Sequence, residues 1–139
     1  MRLVVDASIG GAWCLSDEES NLALEVLDRI VDAQLIVPAH WSLELSNLLV
    51  VAERRSRIDA EGVRNATRFL RSLPFTVDVM TSGQALSATL ELARRHQLTS
   101  YDAAYLELAI REGAILATLD QRLTRVASSE GVRIFGSPT

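Results

Sequence analysis

Apolar residues along the chain fall into short β-branched runs separated by longer stretches of helical period. Leu3, Val4 and Val5 predict a buried strand that closes at Asp6. Ala7 to Leu15 predicts a short helix. Glu18 to Val31 predicts a second, with Ala23, Val26, Leu27 and Ile30 recurring at helical spacing. Leu35-Ile36-Val37 reads as the next strand, stopped by Pro38. His40 to Arg55 is helical but apolar nearly all round, through Trp41, Leu43, Leu45, Leu48, Leu49, Val50 and Val51. Such a helix is buried on several sides or forms a subunit interface.

Asp59 suits the N-cap of a helix running to about Leu73, with Val63, Ala66, Leu70 and Leu73 along one side. Phe75 to Val79 alternates as a strand. Thr81 or Ser82 is expected to cap a helix to His96, and Thr99 or Ser100 another to Glu112, stopped by Gly113. Ala114 to Ala117 reads as a strand, Gln121 to Ala127 as a helix, and Val132 to Phe135 as a last strand before a short polar tail. Strands alternating with helices predict an α/β fold: three layers, α/β/α, around a short, mostly parallel central sheet. The length of 139 residues suits one domain, residues 1–139.

Composition removes several chemistries. All fourteen basic residues are arginine, so a Walker A loop, a Schiff base and a receiver-type phosphoacceptor site, each needing lysine, are excluded. Cys14 is the one cysteine, which rules out an internal disulfide and a Cys-based zinc site, and its apolar setting predicts a buried small residue. His40 and His96 fit no metal-ligand spacing and are expected to be structural. No run is long enough for a membrane span or a signal peptide, so a soluble cytoplasmic protein with no membrane partner is expected. The net charge of −4 has the wrong sign for a generic nucleic-acid binder. A polyanionic substrate would require clustered arginines or bound cations.

In parallel sheets, ligand sites form beyond the carboxyl ends of the strands. Asp6 ends the first strand, Asp120 follows the Ala114–Leu119 stretch, and Asp102 lies in the first turn of its helix. Singly, each is explained as a helix cap or dipole partner. Glu44 is harder to explain that way, because an acid on an all-round apolar helix should be buried and needs donors, an arginine or a bound cation. Taken jointly, four acids on one side of a sheet repel one another and raise each other's pKa unless a divalent ion lies between them. With only oxygen ligands and no histidine placed nearby, Mg2+ or Mn2+ is favoured over zinc.

The wording of these segments resembles the PIN-domain ribonucleases: Val4-Val5-Asp6-Ala7-Ser8, then Pro38 and Trp41 leading to Glu44 and Asn47, Tyr101 to Ala109, and Leu116-Ala117-Thr118-Leu119-Asp120. In length and motifs the chain is similar to the VapC-type toxins of bacterial toxin–antitoxin pairs. The resemblance implies that Asp6, Glu44, Asp102 and Asp120 are the metal-binding, catalytic acids, with Ser8, Asn47 and Thr118 supporting them. Where some members carry a further acid after the last one, Gln121 and Arg122 stand here. It also implies a Mg2+-dependent endoribonuclease. In-line attack by metal-activated water would leave a 5′-phosphate and a 3′-hydroxyl. The implied partners are the RNA substrate, a second copy of the chain in a homodimer, and a cognate VapB-type antitoxin. The alternative is a catalytically idle PIN scaffold that binds RNA or a protein.

Arg64, Arg68 and Arg71 recur on one side of their helix, after Arg54, Arg55 and Arg57. They suit an RNA- or partner-binding track, or a solvated face balanced by Asp59 and Glu61. Tyr101 is a further candidate for RNA or partner contact, although packing in the core or behind the acids is the plainer expectation for it and for Tyr105. Glu107 is expected at the surface or in an interface.

Overall fold

A computed structural model describes residues 1–136. In chain order the elements are β1 (Arg2–Val5), α1 (Ala7–Cys14), α2 (Asn21–Arg29), β2 (Gln34–Val37), α3 (Trp41–Arg54), α4 (Ala60–Ser72), β3 (Phe75–Val77), α5 (Thr81–Gln84), α6 (Leu90–His96), α7 (Ser100–Glu112), β4 (Ile115–Ala117) and α8 (Gln121–Ser129). The four strands form one parallel sheet in the order β3-β2-β1-β4, with Val4 opposite Ile36 on one side and Leu116 on the other.

Successive strand residues point to opposite faces, yet Leu3, Val4 and Val5 are all completely buried, so β1 is covered on both faces. Helix α7 packs directly on β1 and β4, and every residue from Ala103 to Ala109 is buried. Helix α3 lies against α1, where a Cβ on Gly10 would stand 2.8 Å from Leu45 Cδ2. Glycine there lets the helix that carries Glu44 come close to the one that Asp6 opens.

The expected α/β/α layering is found, with differences at several element ends. Between β1 and β2, residues Ser16–Glu18 form a 3₁₀ turn, and α2 starts only after Ser20, whose hydroxyl accepts from Ala23 N. Asp17 and Glu18 turn outward to the Arg57 guanidinium. Neither Thr81 nor Ser82 caps α5. Thr81 is its first residue, and its hydroxyl bonds Asp78 Oδ2 at 2.8 Å and receives the Ala39 amide at 3.1 Å. The strand expected to Val79 ends at Val77. The helix expected to run unbroken to His96 contains a π segment, Ala85–Thr89. Beyond α8, the expected strand at Val132–Phe135 is a single bridge, Leu116 to Ile134. Gly131 and Gly136, on either side of it, are both at positive φ. The polar tail expected after Phe135 lies largely outside the described residues.

Within the chain, helix α3 buries one side, not several, which leaves the subunit-interface alternative open. Trp41, Leu45, Leu49 and Ala52 are buried, whereas Leu43 and Val50 are exposed. Among the described residues, no helix is long and apolar enough to cross a membrane. Glu107 is not at the surface. It is 5% exposed on α7 and ion-paired at 2.9 Å with Arg111, which also holds the buried Asp78 at 2.7 Å. This triad ties α7 to the end of β3. His96 has the expected structural role, meeting Glu130 at 2.7 Å. Cys14 is only partly buried, and that burial pushes its thiol up to about 11.

Candidate active site

Asp6 leaves β1 and becomes the N-cap of α1. One carboxylate oxygen, Oδ1, accepts from Ser8 N at 3.1 Å, Ser8 Oγ at 2.6 Å and Ile9 N at 3.3 Å. The other, Oδ2, accepts from the Thr118 hydroxyl. Thr118 follows β4, and its hydroxyl oxygen in turn accepts the Asp120 amide at 3.0 Å. Ser8 Oγ accepts the Leu119 amide at 2.9 Å. The two hydroxyls thus lace the carboxyl end of β1 to that of β4, and bring Asp6 and Asp120 to one end of the sheet. Asp120 caps α8, accepting from Arg122 N at 2.9 Å and Leu123 N at 3.1 Å.

Asp102 enters from the first turn of α7, behind the Thr99 cap. Glu44 enters from the first turn of α3. It is not fully buried, with about a third of its side chain exposed, and its partner is not an arginine. The Tyr105 hydroxyl donates to Glu44 Oε1 at 2.6 Å, and His40 Nε2 stands 3.1 Å from the same oxygen. Both partners were legible in principle. His40 is four residues before Glu44, and Tyr105 is one helical turn beyond Asp102 on the same face.

The acids feel one another. Burial above all, and the Asp102 charge as well, push Asp6 up to about 6 in spite of the hydrogen bonds from Ser8, Thr118 and Ile9. Burial and then the charges of Asp120 and Glu44 raise Asp102, against the pull of Thr99 and His40. Burial also works upward on Glu44, but hydrogen bonds from His40 and Tyr105 outweigh it and leave Glu44 below the ordinary range. Burial and then Glu44 hold the Tyr105 phenol far above its usual value, so it remains a proton donor.

Among the described residues, no three His, Cys, Asp or Glu side chains already stand as ligands around one point. The donor set still fits a hard cation, because it is all oxygen, and the raised Asp6 and Asp102 are anions that positive charge would stabilise.

One consequence is measurable in metal-free protein. The folded pKa of Asp6 lies above its unfolded value of 3.8, so ionisation works against the fold. The contribution is favourable below about pH 4 and is lost as pH rises towards 6, by about 3 kcal/mol. Asp6→Asn is therefore expected to gain stability relative to the wild type over that window in chemical denaturation. A pH-independent difference would contradict this account.

The other expected residues are placed as follows. Asn47 is exposed one turn beyond Glu44 and lies apart from the hydrogen bonds around Asp6. Tyr101 is 65% exposed rather than packed away, whereas Tyr105 is buried as expected. Arg64, Arg68 and Arg71 are exposed along α4 and pair with no acid among the described residues. Arg57 is occupied by Asp17 and Glu18. Arg122 donates to the carbonyls of His96 and Gln97 at the end of α6.

A four-stranded parallel sheet with carboxylates at and near the carboxyl ends of β1 and β4 is the framework of a small acid-centred α/β domain. Residues 3–129 match the PIN domain family, and the chain belongs to it. It is 31% identical over 123 residues to Ribonuclease VapC3 of Pyrobaculum aerophilum, covering 88% of this chain and 92% of that protein. To Ribonuclease VapC3 of Mycobacterium tuberculosis it is 32% identical over 126 residues, covering 89% and 86%. Among solved structures, it is similar to PAE2754 from Pyrobaculum aerophilum, with a TM-score of 0.67 at 23% identity over 91% of this chain and 84% of that one. It is also similar to a chain of the Rickettsia felis VapBC2 complex bound to a DNA fragment from its promoter, with a TM-score of 0.66 at 14% identity over 96% and 97%. At those identities the structural likeness is one of fold. Nucleases of the PIN family generally depend on divalent metal ions.

Proposed function

We propose that this chain is a metal-dependent endoribonuclease that acts as the toxin of a type II toxin–antitoxin pair, with residues 1–139 as one nuclease domain. The observation that carries the reading is that Asp6, Glu44, Asp102 and Asp120 lie close enough to act on one another: burial first, and then their mutual charges, raise Asp6 and Asp102. The relatives named Ribonuclease VapC3 support the same activity. In this reading the four acids hold Mg2+, with Mn2+ as the natural substitute. When bound there, such an ion would supply charge neutralisation at the scissile phosphate and acidify the attacking water.

The protein's own contribution is orientation. Ser8 and Thr118 fix the Asp6 carboxylate and the Asp120 backbone, so two of the acids cannot drift apart. Tyr105 and His40 hold Glu44 ionised and aimed. Thr118 is 3% exposed, and both hydroxyls also accept backbone amides, of Leu119 and Asp120, which fits them for bracing the acids. The exposed Arg64, Arg68 and Arg71 offer an otherwise acidic protein a cationic face for the RNA backbone or an acidic stretch of a partner. A VapB-type antitoxin, a homodimeric state and a cytoplasmic location complete the proposal.

The test is cleavage of total RNA with Mg2+, with EDTA, and with Asp6→Asn in Mg2+. Cleavage is expected only in the first. Equal outcomes in all three would remove the enzyme and leave a binding scaffold.

A further inference from the structure

Beside Glu44, on the outer side of α3, lies a cleft of about 460 Å³ whose lining includes His40, Leu43, Glu44, Asn47, Val50 and Tyr101. We propose that this cleft is a nucleobase subsite: it receives an unpaired base next to the bond to be cut, stacked on the Tyr101 ring and met at its edge by the Asn47 amide. The proposal rests on the ribonuclease reading and adds to it how the RNA is held.

Four observations favour a base as the occupant. The first is the exposure of Tyr101, 65%, in the residue adjoining Asp102. An aromatic ring left in water beside an acid of the candidate site offers a π face that any base can stack on. The second is that the backbone beneath this ring is pinned and the ring has an aromatic neighbour. Its own backbone carbonyl is bonded to His40 Nε2 at 3.1 Å. The His40 ring is 5.9 Å from the Tyr101 ring and 5.1 Å from that of the buried Tyr105. A platform ordered before binding loses little entropy when the ligand arrives.

Third, the cleft is lined for a base and not for a phosphate. No arginine borders it, and Leu43 and Val50, both exposed, supply apolar wall. The Asn47 amide has no side-chain hydrogen bond among the described residues, so its donor and acceptor are open to a base edge. Fourth, Glu44 belongs both to this cleft and to the acid cluster. A base seated here therefore brings its own phosphate up to the carboxylates. The apolar wall would also suit a second copy of the chain, and the experiment separates the two.

The probe is a fluorescein-labelled single-stranded RNA containing 4-thiouridine, bound to the Asp120→Asn chain. That variant keeps a capping residue at the start of α8 and is expected not to cut. Adding Tyr101→Ala is expected to weaken binding about tenfold or more and to abolish the photocrosslink to the peptide carrying position 101. Tyr101→Phe, which keeps the π face, brings affinity back to within about threefold. Leu86→Ser, an equally bold change at an 87% exposed apolar side chain on another helix, is expected to change nothing. Unchanged affinity in Tyr101→Ala, or crosslinks that map elsewhere, overturns the subsite. So does a Tyr101→Ala variant that turns a dimer into a monomer in sedimentation with RNA affinity intact, which makes the face a contact between copies. If the unsubstituted chain with Mg2+ leaves RNA whole while the Tyr101-dependent binding persists, the nuclease reading falls and the subsite stands.

Discussion

Asp102→Asn is expected to silence RNA cleavage while leaving the metal-free protein melting at or above the wild-type temperature. The two halves of that result have one cause. Burial and the charges of Asp120 and Glu44 all disfavour an anion at position 102, and the Thr99 hydroxyl and His40 do not make up the difference. Without a cation, the ionised side chain therefore works against the folded state, and its contribution worsens as pH rises through the carboxylate range. Asparagine keeps the size and an acceptor oxygen but removes the charge. The same removal deprives a bound divalent ion of an anionic ligand. Cleavage should fall about a hundredfold or more, a barrier increase of roughly 3 kcal/mol. Thermal melts in EDTA together with a cleavage assay in Mg2+ measure both halves. A marked drop in melting temperature for Asp102→Asn would refute the electrostatic account even if activity were lost.

The second large effect lies away from the acids. Arg111→Ala is expected to destabilise the protein by about 3 kcal/mol, because it strands two buried carboxylates. Asp78 and Glu107 are 9% and 5% exposed, and Arg111 binds Asp78 through two nitrogens, at 3.0 and 2.7 Å. The Arg111 hydrogen bonds hold Asp78 below the usual carboxylate range, so this stabilisation is present at neutral pH and is lost in acid as Asp78 protonates. The melting temperature should fall by roughly 10 °C. Combining Arg111→Met with Asp78→Asn and Glu107→Gln should recover most of it, since no unpaired charge then remains inside. If Arg111→Ala melts within about a degree of the wild type, the triad contributes little and α7 is held by apolar packing alone.

Most of the sheet and the positions of the acids were legible because both follow from local patterns. Short β-branched runs bounded by Asp6, Pro38 and Gly113 mark strands and their ends, and carboxylates just past strand ends collect where parallel strands terminate. What stayed hidden was decided by partners distant in sequence. Glu107 looked like a surface acid because nothing near it in the sequence reveals that Asp78 is brought alongside Arg111. Glu44 looked like a buried acid in need of a cation. Tyr105, which answers part of that need, reaches it from a helix 61 residues away. Thr81 had the identity of a helix cap, but Asp78 and the Ala39 amide claimed its hydroxyl. For α3 the apolar pattern left burial within the chain and a subunit interface equally open, since it says nothing of how many neighbours there are to cover it; the fold buries one side.

The bond from Thr118 to Asp6 spans 112 positions of the chain. Translation runs from the amino end, so the Asp6 carboxylate is made well before the hydroxyl that braces it. Until β4 has docked beside β1, the first carboxylate lacks its brace and Asp120 has no place beside it. On the nuclease reading, a chain still short of β4 would have no assembled set of acids and is expected not to cut.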